Sequence, residues 1–357
     1  IKYARSSITN FNLYEPCDAM ALFDMIDGNV VPSKDRVTMF SSLPQVMMLL
    51  YLLQTNKSVH SLCLDLLEVS DEMLEVLGDC PNITELELSG KLSKNGIGIF
   101  KSTLSTLKLS RLTLSLKLMS SSNKIAVMTD CLSQTENLTI KGQLDENETD
   151  TLFGALATNT NLVALGLFSI CDSYVVETAL TANTTLQHFG VTCHRRGITS
   201  ILSGLIHNKG LKTLSIPKID DVSVDLLIEV LKTNTTLTTL IFMVCFASGI
   251  VPQKLIDALS FNQYLTFISI RAFDPYRSNY APDTINRILH GLSRNTNLDC
   301  VHLCFTGQHG DADALMDILN TQLARLSINE YRVQLDTSHY QMIERNEFLT
   351  FIDLGVD

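Results

Sequence analysis

The stretch "VDLLIEVLKTNTTLTTLIF" (224–242) changes rhythm at its middle. Leu227, Val230 and Leu231 recur at helical spacing, so the first half predicts a helix with one apolar face. Leu240 and Phe242 then fall on alternate positions, which predicts a short strand. An Asn-Thr-Thr triplet marks the switch. The same sentence is written in "ALATNTNLVALGL" (155–167), "ALTANTTLQHFGV" (179–191) and "GLSRNTNLDCVHL" (291–303).

Aligned, these stretches give L-x-x-N-x-x-L-x-x-L-x-L. Its first Leu and its Asn recur at Leu53/Asn56, Leu156/Asn159, Leu180/Asn183, Leu205/Asn208, Leu231/Asn234, Leu259/Asn262, Leu292/Asn295 and Ile343/Asn346. Cys80, Thr106 and Thr135 replace the Asn in three further copies. The predicted strand pairs begin at Leu62/Leu64 and Leu86/Leu88 and run on to Leu326/Ile328 and Ile352/Leu354. They succeed one another every 24 to 28 residues, with one step of 33 between Ile270 and Leu303. Stepping backwards lands on Val37/Met39 and Phe11/Leu13, so the start of the chain fits the period too, although a helical cap over 1–52 is the other reading.

A sustained register of this length resembles the leucine-rich repeat. The helical pattern before each strand is similar to the ribonuclease-inhibitor class, and the Asn-Thr-Thr-Leu junction to arrays in NLR-type receptors and in leucine-rich effectors of intracellular bacteria. The resemblance implies an α/β solenoid, a curved horseshoe with a parallel sheet on the concave face and helices on the convex face. It implies a single array over 1–357. Two departures interrupt it. "RAFDPYRSNYAPDT" (271–284) reads as a loop insertion, with Tyr276 and Tyr280 as contact candidates on a rim. In "LSRLTLSLKLMSSSNK" (109–124) the alternation runs on, as a longer strand or a local irregularity.

The Asn has an expected local role. It suits left-handed backbone at a helix end, and its amide can bond orphan carbonyls or amides at the bend. No repeat can bury its apolar face alone, so neighbours must stabilise one another.

A net charge of −11 and a pI near 5.2 argue against a nucleic-acid binder and fit a solvated acidic surface that prefers a basic partner. No apolar run reaches the length of about 18 residues that a membrane helix needs. Nine cysteines without a C-x-x-C pair predict buried free thiols in a reducing compartment. Asn56, Asn82, Asn137, Asn147, Asn183 and Asn234 head N-x-S/T sequons, but five of these six lie at or beside the repeated turn. The chain starts at Ile1 and stops on a strand pattern, which suggests that a piece is missing at one or both ends.

Catalytic signatures are lacking: there is no phosphate loop, no H-E-x-x-H and no G-x-S-x-G. Cys300, His302 and Cys304 alternate along a strand about 7 Å apart, too far to share one zinc without bending. No metal or cofactor is expected. "SSLPQVMMLLYLL" (41–53) shares only Leu43-Pro44 and general hydrophobicity with the F-box opening.

Alternation places Ile241, Met243 and Phe267 outward on neighbouring strands, with Arg271, His302 and Arg325 beside them. Apolar anchors rimmed by polar groups suit a protein contact. The expectation is therefore a non-enzymatic protein-binding scaffold in the cytoplasm, or in the host cytoplasm for a bacterial effector. The alternative is the client-selecting part of a ubiquitin-ligase adaptor or a GTPase regulator. The sequence does not fix the oligomeric state.

Overall fold

The computed structural model describes residues 10–13, 36–39, 54, 60–115, 121–191, 197–244, 251–272, 284–305, 311–329, 337–347, 349 and 351–353. The chain divides into two compact units, Ile1–Ser169 and Ile170–Asp357. Both are α/β solenoids of leucine-rich-repeat type: parallel strands follow one another in chain order, and from Ser61 onwards a described helix crosses back between successive strands.

In the first unit the strands are β1 (Asn10–Leu13), β2 (Arg36–Met39), β3 (Ser61–Val69), β4 (Glu85–Leu92), β5 (Arg111–Ser115), β6 (Asn137–Gln143) and β7 (Ala164–Ser169). Each pairs with the next in parallel, and the periodic leucines align: Phe11 with Val37, Val37 with Leu62, Leu62 with Leu86 and Leu138 with Leu165. Strand β5 spans five residues of the run at 109–124; positions 116–120 lie outside the described residues. Helices Asp71–Gly78, Lys94–Thr106, Ser121–Gln134 and Glu146–Leu156 form the second layer. Their starts are set locally. The Ser70 and Ser93 hydroxyls accept from the backbone N–H of Met73 and Gly96, and Asp145 forms a reciprocal cap with Glu148.

The second unit repeats the plan with β8 (His188–Val191), β9 (Thr213–Ile219), β10 (Thr239–Val244), β11 (Phe267–Ala272), β12 (Cys300–Phe305), β13 (Arg325–Asn329) and β14 (Phe351–Asp353). Leu214, Leu240, Ile268, Val301, Leu326 and Ile352 stand in one register across β9 to β14. The helices run from Tyr174–Ala182 to Thr337–Arg345 and pack on their sequence neighbours. Leu214, Leu240, Ile268 and Leu326 are fully buried between strands and helices, each worth about 1.5–3 kcal/mol. The layers approach closely where glycine allows it: a Cβ on Gly210 would sit 2.4 Å from the Thr184 carbonyl oxygen.

The junction asparagines are not left-handed. Asn183, Asn208, Asn234 and Asn262 cap their helices with extended backbone, at φ between −65° and −79°. It is ψ, at 120° to 140°, that leaves the helical range, and the side chain reaches the preceding repeat. Asn208 Nδ2 donates to the carbonyls of Leu180 (2.5 Å) and Asn183 (2.9 Å), while its Oδ1 accepts from the backbone N–H of Gly210 and Leu211. Asn234 does the same with Leu205 and Asn208, and Asn295 donates to Leu259 and Asn262. One amide thus closes its own turn and ties it to the one before. In the first unit Asn159 makes the same link to Leu132, and Thr106, in the Asn position, reaches the Gly78 carbonyl with its hydroxyl.

Asn208 is 2% or less exposed, so no water can replace the lost bonds. Asn208→Ala should therefore destabilise the protein by about 2–4 kcal/mol in urea unfolding, as two buried carbonyls and two buried amides lose partners. A change under about 0.5 kcal/mol would show that the amide does not link the repeats.

Candidate functional site

Alternation along β8 to β13 gives the second unit a sheet face whose side chains have no part in the layer beneath. Ile241 stands between Ser215 on β9 and Ser269 on β11, both small, which leaves its flanks open. Met243 lies two residues further along β10, opposite Arg271. Phe267 sits one row lower, between Thr239 and Cys300. Ile241 is thus the centre, with Met243 about 7 Å along its own strand and Phe267 diagonally across. All three apolar side chains are half-buried.

His302 faces Ser269 in register, and the Ser269 hydroxyl meets His302 Nδ1 at 2.9 Å. Ser269 is 2% exposed, sunk between Ile241 and the imidazole. The pair resembles a nucleophile and base only in residue type. The hydroxyl is shut off from any substrate, so the contact instead fixes the ring as a wall of the face. Nothing in the alternation predicts this bond, because it depends on how deep a small side chain sinks beside larger ones.

Arg271 and Arg325 are exposed at opposite corners, Arg271 beyond Met243 and Arg325 in the row of Phe267 and Cys300. Neither makes a hydrogen bond or ion pair with any described residue. The first unit treats its sheet-face cations differently. There Lys141 is paired with Glu87 across β5, and Arg111 lies 3.7 Å from Glu85. Among the described side chains of β8 to β13, no Asp or Glu stands outward on the second unit's face; Asp353 holds the middle-row register on β14, opposite Ser327. Two unpaired guanidinium groups around an apolar centre are therefore a local exception on a chain of net charge −11. Tyr276 and Tyr280, expected in the rim loop, lie outside the described residues.

A second feature escapes sequence reading. A groove of about 680 Å³ opens in the helix layer between Val224–Thr233 and Gln253–Phe261. Phe261 and Tyr264 are 71% and 41% exposed along it. Its charges are largely balanced, since Lys254 pairs with Asp225. The repeat pattern hides the groove because Phe261, at the helix end, and Tyr264, in the turn after it, fall outside the periodic apolar positions.

Three of the described thiols are shielded by the core. Cys63, Cys80 and Cys131 are buried. Burial, aided by the Asp79 charge, pushes the Cys80 thiol up to about 12, and burial likewise raises Cys131. Cys300 is raised by burial, an effect that Arg325 opposes. Among the described residues no three His, Cys, Asp or Glu side chains gather as a metal site, and no helix is long and apolar enough to cross a membrane.

No protein-family model matches the chain, and no curated protein matches it in sequence. Among solved structures, the crystal structure of a TLR13–ssRNA13 complex is similar, with a TM-score of 0.41 and 11% identity over 84% of this chain and 51% of that one. The present chain spans about half the length of that structure.

Only thiolate reacts with alkylating agents, and a thiol at about 12 instead of 9.0 holds roughly a thousandth of the thiolate. Iodoacetamide at pH 8 should therefore label Cys80 about three orders of magnitude more slowly in native protein than in urea, by peptide mass spectrometry. Equal rates would mean that the native thiol is accessible and its acidity unchanged by the fold.

Proposed function

We propose that the protein is a non-enzymatic scaffold that captures a protein partner through the sheet face of its second unit, around Ile241, Met243, Phe267, Arg271, His302 and Arg325. The observation that carries this reading is the pair of exposed, unpaired arginines flanking half-buried apolar side chains on a face with no outward carboxylate on β8 to β13 among the described residues. Backbone groups there are already satisfied within the sheet, so a partner meets side chains only. Apolar anchors supply affinity, while guanidinium groups select a partner that offers carboxylates. Met243 adds an adaptable contact.

The helix that follows each described strand from Ser61–Val69 to Arg325–Asn329 supports placing the array in the ribonuclease-inhibitor-like class. The burial of Cys63, Cys80 and Cys131 as thiols supports a reducing setting, and we place the protein in the cytoplasm, of a host cell if it is a bacterial effector. The effector reading is our preference, and a ligase adaptor or a GTPase regulator is the alternative.

Ile241→Asp with Phe267→Asp should weaken partner capture at least about 100-fold, with stability changed by no more than about 1 kcal/mol, since both side chains are half-buried. Arg271→Glu with Arg325→Glu should abolish capture and shift preference towards basic partners. The readouts are affinity capture with quantitative mass spectrometry, alongside circular dichroism melts. Collapse of the melt in the aspartate variant would make those residues core. Retained capture in the arginine variant, or selection of single-stranded RNA over protein by the wild type, would overturn the proposed contact.

A further inference from the structure

Two of the asparagines that tie the repeats together are also acceptor triplets for N-linked glycans: Asn183-Thr184-Thr185 and Asn234-Thr235-Thr236. The structure gives each amide to the fold. Both N–H groups of Asn234 Nδ2 are used, towards the Leu205 carbonyl at 2.8 Å and the Asn208 carbonyl at 3.1 Å. Its Oδ1 accepts from the backbone N–H of Thr236 and Leu237. Asn183 Oδ1 likewise accepts from Thr185 and Leu186. Asn183 and Asn234 are each 2% exposed.

N-glycosylation forms a bond from the sugar's anomeric carbon to Nδ2 in place of one N–H, with the proton lost and a lipid pyrophosphate leaving from the oligosaccharide donor. On Asn234 the product keeps one proton for two carbonyls and must place a hydrophilic sugar where no solvent reaches. The buried carbonyl that loses its donor cannot turn to water. Because the glycan is attached to the unfolded chain as it enters a secretory lumen, it would arrive before the fold can hide the acceptor. The triplets at Asn147 and Asn137 behave differently. Asn147 is exposed on the first turn of its helix, and half-buried Asn137 donates through Nδ2 to the Ser110 carbonyl, so both have room for a sugar, whereas Asn82 Nδ2 is buried.

We propose that Asn183 and Asn234 are modification sites whose use is mutually exclusive with folding, so that the chain reaches its native state only where no oligosaccharyltransferase acts. Entry into a secretory lumen would convert two stabilising residues into blocks. This inference stands apart from the partner-binding face and does not depend on it.

The test expresses the 357-residue chain in one eukaryotic cell type, in the cytosol and behind a cleaved secretory signal. Peptide mass spectrometry then reads site occupancy in soluble and aggregated fractions. The expected cytosolic product is soluble and bare. In the lumen, glycans at Asn183 and Asn234 should be confined to aggregate, while soluble molecules carry them only at exposed sites such as Asn147. Thr185→Ala with Thr236→Ala removes both triplets and leaves the asparagines in place. It should lower the cytosolic melting temperature only slightly, since Thr236 Oγ1 donates to Asn234 Oδ1 at 3.2 Å while the backbone bonds to that oxygen remain, and it should raise the lumenal soluble yield several-fold, as should tunicamycin. Soluble, monodisperse, cooperatively melting protein glycosylated at Asn183 or Asn234 would overturn the proposal. So would a lumenal chain that stays aggregated under both remedies, since the barrier would then be something other than the glycan.

Discussion

The arrangement depends on the side-chain amide at the junctions that carry asparagine, a place that Cys80, Thr106 and Thr135 fill in three repeats of the first unit. A strand and a helix of this length cannot bury their apolar faces alone, and the turn between them leaves backbone donors and acceptors in a place water cannot reach. A junction asparagine solves both problems at once. Its carbonyl oxygen closes the turn ahead of it, as Asn262 Oδ1 does for Tyr264 and Leu265, while its nitrogen bonds the repeat behind, at the Leu231 carbonyl 2.7 Å away. The link fixes the spacing of successive turns. Strand register follows from it, because leucines set a constant distance after each Asn must then fall side by side.

That division of labour explains why the sheet face can carry recognition. Inward residues are almost invariably aliphatic and buried, and the ladder satisfies the backbone, so the outward residues of β9 to β13 have no structural duty beyond fitting beside one another. In the first unit they are spent on cross-strand ion pairs such as Lys141 with Glu87. In the second unit they are an apolar centre and two arginines without a carboxylate partner among the described residues, a composition that costs solvation unless something docks.

Much of the fold was legible because its determinants are local and repeated. The positions of Leu240, Ile268 and Val301 could be read from alternation alone, and they pair as the period requires. The junction Asn was legible as a position but not as a role. Its expected left-handed backbone proved extended, since the bonding partner lies about a repeat away and no local propensity records it. The candidate face was legible only in outline. Alternation puts Ile241 and Phe267 on one side, but the sinking of Ser269 against His302 and the unpaired state of Arg271 depend on neighbours 28 to 33 residues distant. Phe261 was invisible as a groove residue for the same reason.

Native-state hydrogen exchange measures the central claim most directly. The amide protons of Leu186, Leu211, Leu237 and Leu265 are all held by a junction asparagine's Oδ1. If the asparagines couple the repeats, these four should exchange together, with the free energy of opening of the buried strand amides of β9 to β11. Fast, repeat-by-repeat exchange at the four turns beneath protected strands would contradict the account.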